Sequence, residues 1–100
     1  MESNRNYKLT NAPTPRERYE AMIKLKWKYK AIVIEPILDF DEEFIDWIYD
    51  ISPIIVYVGY DNYGNNLPEP KIEKTQILLE ALNGITDLRV KSMRKAWYEK

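Results

Sequence analysis

No cysteine and no histidine occur in this chain. Without cysteine there is no disulfide framework, no thiolate zinc site and no cysteine-held iron–sulfur cluster, and without histidine the commonest neutral metal ligand is missing as well. Redox and transition-metal chemistry are thereby nearly excluded. Glycine is scarce, at 3 residues in 100, while 45% of residues are apolar and 13% aromatic, which suits one compact domain long enough to bury a core without staples. Long hydrophobic runs are also lacking. The longest, Ile54 to Val58, is far too short to cross a bilayer, and the polar start Met1-Glu2-Ser3-Asn4-Arg5 has no secretory apolar region behind it. A cytoplasmic protein that avoids membranes is expected.

Charge of one sign is locally absent too. Residues 31–70 hold nine Asp/Glu and no Lys or Arg, whereas residues 1–30 carry a balance of +5 and residues 71–100 one of +3, so that a formal net charge of −1 conceals a strong segregation. Segregation of this kind bears on partners and association rates rather than on fold.

Turning to what is present, Asn11-Ala12-Pro13-Thr14-Pro15 is a turn-rich entry with Thr14 suited to an N-cap and Pro15 to the first helical position. Tyr19, Met22, Ile23, Lys26 and Trp27 then recur at steps of three and four and predict a helix from about Pro15 to Lys26. Ala31-Ile32-Val33-Ile34 reads as a buried strand stopped by Pro36. Asp39 or Asp41 can cap a second helix that carries Phe44, Ile45, Trp47, Ile48 and Ile51. The β-branched run Ile54–Val58 reads as a central parallel strand covered on both faces. Residues 59–70 read as a long loop at its C-terminal end. A third helix over about Lys71–Leu82, a strand over Asp87–Lys91 and a short terminal helix over Met93–Tyr98 complete the reading. The order α-β-α-β-α-β-α implies right-handed crossovers and an α/β fold with about three parallel strands and flanking helices.

Several blocks carry a specific resemblance. Glu2-Ser3-Asn4-Arg5, Asn11 to Tyr19 and Ile34-Glu35-Pro36-Ile37-Leu38-Asp39-Phe40-Asp41 resemble consecutive segments of a phage and prokaryotic radical-SAM-like barrel family. Val56 to Tyr63, Leu67-Pro68-Glu69-Pro70 and Leu88 to Arg94 are similar to its last strands and loops. The resemblance covers nearly the whole chain but only the C-terminal half of the family's fold, so it implies a partial, half TIM-barrel-like β-α repeat: residues 14–100 as the core and 1–13 as an N-terminal extension. Family members hold a [4Fe–4S] cluster through three cysteines in the other half of the barrel and use it to cleave S-adenosylmethionine. This chain has no cysteine with which to do so. By the resemblance, Glu2 and Asn4, Glu35, Asp61 and Asn62, and Lys91 stand at the C-terminal ends of four successive strand positions, the face on which barrel enzymes carry their active sites.

Two groups of residues are therefore candidate binding sites. The first is the former barrel mouth, Glu35, Tyr60, Asp61, Asn62 and Lys91. Its plainer account is a carboxylate that orders a loop and a solvated turn. The second is an acidic helix face, because at 100° per residue Glu42, Glu43, Asp46 and Asp50 fall on one side, with Asp39 just ahead and Phe44, Ile45, Trp47 and Ile48 opposite. A solvated amphipathic face explains the same row, yet it could also engage a basic groove. Glu35 and Asp39 as an acid/base pair give a weak signal. The carboxylates at Asp39, Asp41, Glu42 and Glu43 lack the glycine and distal glutamate of an EF-hand loop, so no metal and no other cofactor is assigned. Lys24 to Lys30, a basic run with interleaved aromatics, could contact phosphates and bases. Helix-dipole and edge-shielding roles are the stronger account of it, which ranks nucleic acid below a protein partner.

The expectation is thus a non-catalytic, phage- or mobile-element-encoded binding protein acting on a protein partner, such as an inhibitor of a host defence protein. The alternative is the C-terminal subunit of a split enzyme. A half-barrel also leaves strand edges and an interior face uncovered, for which a two-fold homodimer is the favoured remedy.

Overall fold

The computed structural model describes residues 1–7, 12–25 and 29–100. Six elements alternate: α1 Pro15–Lys24, β1 Ala31–Ile34, α2 Glu43–Ile51, β2 Ile55–Val58, α3 Ile72–Asn83 and β3 Asp87–Val90. The strands form one parallel sheet in the order β1-β2-β3. Its register aligns Ala31 with Ile55 and Asp87, Ile32 with Val56 and Leu88, Val33 with Tyr57 and Arg89, and Ile34 with Val58 and Val90. This bears out the α/β reading with three parallel strands and flanking helices.

α1 starts as its sequence dictates. The Thr14 hydroxyl accepts from the Glu17 amide, the Glu17 carboxylate accepts from the Thr14 amide, and Pro15 opens the helix, which satisfies two otherwise orphaned donors. The helix ends at Lys24 rather than near Lys26, because Leu25 is already extended; Lys26, Trp27 and Lys28 lie outside the described residues. α1 has no buried residue and lies over α2 chiefly through Tyr19, whose ring stacks on Trp47 at 4.6 Å.

α2 begins without either expected cap. Glu42 occupies the N-cap in helical geometry with no side-chain bond, because the Asp39 and Asp41 carboxylates are taken elsewhere. Arg5 donates to Asp39 and Asp41 at 2.9 and 2.8 Å, and Lys74 donates to Asp39 at 2.7 Å and to the Phe40 carbonyl. These bonds belong to a dock for residues 1–7. Ser3 is buried, with its hydroxyl donating to the Asp39 carbonyl, and Asn4 accepts from the Asp41 amide. The Met1 ammonium donates to the Val33 carbonyl at 3.0 Å. The start of the chain thus folds back along the β1 edge.

The core lies on one side of the sheet only. Ile32, Ile34, Val56 and Val58 pack against Phe44, Ile48 and Ile51 of α2 and Leu78 and Leu82 of α3. Because alternate residues point to opposite faces, Ala31, Val33, Ile55, Tyr57, Asp87 and Arg89 share the other face, where Ala31, Val33, Asp87 and Arg89 are exposed and Ile55 and Tyr57 half-buried. The expectation that β2 is covered on both faces is therefore corrected. Its apolar run is continuous, but both helical crossovers pass over the same side. The terminal helix is also absent: the amides of Ala96 and Trp97 bond to the carboxylates of Glu99 and Glu69 instead of to carbonyls one helical turn back.

Candidate functional site

The uncovered face of the sheet is the candidate site. The strand register lays it out in rows across the strands: Ala31, Ile55 and Asp87 first, then Val33, Tyr57 and Arg89. Two residues further on stand Glu35, Gly59 and Lys91, just beyond the strand ends. Apolar side chains occupy the β1 and β2 columns, and charges gather along β3 and at the C-terminal rim. Asp87 and Arg89 form two bonds at 3.0 and 2.9 Å. This pair lowers the Asp87 carboxyl and raises the Arg89 guanidinium, in both cases chiefly through that hydrogen bonding.

At the rim, Lys91 Nζ lies 3.3 Å from Glu35 Oε2 and 5.7 Å from the centre of the Tyr57 ring. Gly59 makes this approach possible, since a methyl group there would sit 3.2 Å from Glu35 Cδ and Oε2. Glu35 Oε2 is shut away from water and receives no hydrogen bond among the described residues. The Coulombic contact with Lys91 is thus its compensation, and an unbonded buried acceptor is costly.

The other mouth candidates point elsewhere. Tyr60 is 0% exposed on the helix side of the sheet, where its hydroxyl bonds to Thr75 and to the Pro70 carbonyl. It is a core residue, as its two-residue offset from Val58 dictates. Burial pushes its phenol up from the ordinary value. Asp61 is buried and organises its own loop, accepting from the amides of Tyr63 and Asn65 and from the Asn65 side chain. These bonds, that of the Asn65 amide foremost, hold its carboxyl below the usual range. Asn62 is exposed. Of the five, the structure brings only Glu35 and Lys91 together.

The acidic row is dispersed in a different way. Glu42, Glu43, Asp46 and Asp50 are exposed, with Asp50 accepting from the Tyr19 hydroxyl at 2.8 Å. Asp39, assigned to the same row, belongs to the Arg5 and Lys74 network instead. Glu35 and Asp39 therefore sit in separate networks. Among the described residues no group of three acids is placed to hold a metal ion.

One cluster has no counterpart in the sequence reading. The Glu69 carboxylate, 1% exposed, accepts from both Arg94 terminal nitrogens at 2.9 and 2.7 Å and from the Trp97 amide at 3.1 Å. Arg94 also donates to the Asp61 carbonyl and lies over the Tyr60 ring, and the Tyr98 hydroxyl donates to the Glu69 carbonyl. A separation of 25 residues leaves no local signal for such a pair; a buried Glu between two prolines, Pro68-Glu69-Pro70, is the nearest hint.

A cleft of about 240 Å³ lies between the docked N-terminal segment and the start of α1, lined by Glu2, Arg5, Tyr7, Arg18, Pro36 and Leu67 among others. It is smaller than a typical ligand pocket, and Arg18 and Glu2 pair within it at 3.2 Å. Among the described residues no helix is long and apolar enough to cross a membrane. Comparisons with protein-family models, with curated proteins and with solved structures find no match to this chain.

Proposed function

We propose that this chain is a non-catalytic protein-binding module whose contact surface is the open face of the sheet. The observation that supports the reading is the one-sided coverage. Parallel sheets are ordinarily covered on both faces, and here Val33 is left 48% exposed beside half-buried Ile55 and Tyr57. With strands about 4.8 Å apart and rising about 3.3 Å per residue, the face measures about 14 by 13 Å. That is near a quarter of the about 800 Å² a side of a standard interface. The partner therefore presents an apolar stripe to Ala31, Val33, Ile55 and Tyr57 and polar groups to Arg89 on β3 and to the rim at Glu35 and Lys91. The barrel-family resemblance adds the setting: a phage-encoded chain that occupies a host protein.

The acidic α2 face is the competing surface, and one experiment separates the two. Captured partners are compared for the wild type, for Val33→Asp with Tyr57→Asp, and for the triple change Glu42→Lys, Glu43→Lys, Asp46→Lys, with circular dichroism as the folding control. Loss of capture with the open-face variant alone is expected. Loss with the triple reversal alone would transfer the function to α2.

The Glu35–Lys91 pair favours a second reading, because charged groups at the C-terminal ends of parallel strands are where barrel enzymes hold their reacting residues. A partner that supplied further parallel strands would enclose this pair. The sequence of the captured partner decides: βα units with a three-cysteine cluster motif assign a split enzyme, and any other architecture assigns a stand-alone binder.

A further inference from the structure

The two edges of the sheet differ, and the difference selects a partner. Within a strand, alternate residues turn their N–H and C=O groups to opposite edges. On β3 the amides of Asp87 and Lys91 donate to the carbonyls of Ile54 and Val58, so Leu88 and Val90 face outwards. Among the described residues no hydrogen bond is made to the N–H or C=O of either. On β1 the outward residues are Ala31, Val33 and Glu35, and there, among the described residues, one of the outward groups, the Val33 carbonyl, is taken by the Met1 ammonium.

We propose that the open β3 edge is the dimerisation surface of this chain, and that its occupant is β3 of a second copy, paired antiparallel about a two-fold axis at Arg89. This goes beyond the reading of the open face, since it concerns the edge and does not depend on what covers the sheet. An antiparallel pair bonds opposing residues in both directions. With Arg89 on the axis, Leu88 of each copy stands opposite Val90 of the other, and the four groups each chain leaves unbonded are all satisfied. The side chains agree with this register. On the helix side of the sheet Leu88 meets Val90, whose 44% exposure the contact reduces. On the open face Asp87 meets Lys91, opposite charges directly across the strands, in addition to the Arg89 and Glu35 partners that each already has within its own chain. The two Arg89 side chains meet at the axis, but each is already neutralised by two bonds to its own Asp87. Shifting the register two residues towards the C-terminus sets Arg89 against Lys91, with like charges facing. A two-residue shift the other way sets Val90 against Thr86, whose amide is already spent on Leu82.

The geometry has a second consequence. A two-fold axis perpendicular to the sheet keeps both helical layers on one side, so the two open faces join into one six-stranded surface of about 400 Å², from twice the strand spacing and the same rise.

The register is testable because the chain has no native cysteine. Arg89→Cys places two thiols at a non-hydrogen-bonded antiparallel pair, where α-carbons are about 4.5 Å apart and within disulfide range. Asp87→Cys separates them by about four residues, or about 13 Å. The wild type should show a mass of about 24 kDa, twice 12.0 kDa, by light scattering at high concentration. Under mild oxidation Arg89→Cys should become a covalent dimer and Asp87→Cys should stay reduced. Val90→Pro, which removes only an outward N–H from an edge strand, should raise the dimer dissociation constant at least tenfold. A mass of 12.0 kDa at every concentration overturns the proposal, as does a disulfide at Tyr57→Cys with none at Arg89→Cys, which would mean that copies meet face to face. Capture of a partner by the open face is read separately and survives either result.

Discussion

Replacing Arg94 by alanine tests whether the buried carboxylate of Glu69 is held in place by its partner. Glu69 is 1% exposed at its side chain, whereas Arg94 is 38% exposed. Removing one member of a buried pair costs about 3 to 5 kcal/mol when the survivor stays dry. Water can follow the missing arginine part of the way, so Arg94→Ala should cost about 2 to 3 kcal/mol, near or just below the low end of that range. At about 4 to 8 °C per kcal/mol for a chain of this size, the melting temperature should fall by about 10 to 20 °C. Glu69→Gln breaks the same pair from the other side with a smaller penalty. The glutamine still offers an acceptor to the Trp97 amide, and the freed guanidinium can be hydrated, so about 1 kcal/mol is expected. Urea denaturation of the two variants beside the wild type measures both. An Arg94→Ala loss below about 0.5 kcal/mol, the level of an ordinary surface change, or a Glu69→Gln loss larger than that of Arg94→Ala, would refute the argument that burial of Glu69 decides the cost.

Thr14→Ala removes half of the capping box and should cost about 1 kcal/mol, with the loss of helical circular dichroism confined to α1. Gly59→Ala should push the Glu35 side chain off Lys91, since a methyl group would meet Glu35 Cδ at 3.2 Å; a crystal structure of the variant with the pair unmoved would count against that contact. Asp61 titrates below the ordinary carboxylate value when folded, so its stabilisation is present above the unfolded value and is lost as pH falls through the folded one. Asp61→Asn should therefore flatten the fall in stability between about pH 5 and pH 2, measured as the melting temperature of variant and wild type across that window. Phe44→Ala opens the centre of the core, where Phe44 is fully buried, and should cost about 3 to 5 kcal/mol by chemical denaturation.

The elements were legible where local chemistry decides them. Thr14, Pro15 and Glu17 announce the start of α1, and β-branched apolar runs announce the first two strands. Coverage of β2 was not, because Ile54 to Val58 are all apolar and periodicity cannot tell a strand covered twice from one whose second face awaits a partner. The side of Tyr60 was legible in principle, since even-numbered residues from Val56 onward share the core face, but the polar loop that follows drew it into the candidate site. Asp39 was placed with its helical neighbours because sequence spacing says nothing of Arg5 and Lys74, which reach it from elsewhere in the chain. The Met93–Tyr98 helix failed for the same reason: side chains distant in sequence took its amides.

The Met1 ammonium on the Val33 carbonyl does more than dock a terminus. A sheet with two open edges of unlike sequence can add copies head to tail without limit, as filaments do, whereas a sheet with one open edge can only pair and stop. In the proposed dimer, each outer β1 edge has its Val33 carbonyl taken by the Met1 ammonium, a plug that hinders the addition of a third copy. Shortening the chain by its first three residues removes the plug, and parallel pairing of β3 in one molecule with β1 of the next then has no geometric end. Residues 1–3, which also pack Met1 against the core and bury Ser3, thus bear on the choice between a finite particle and a fibre.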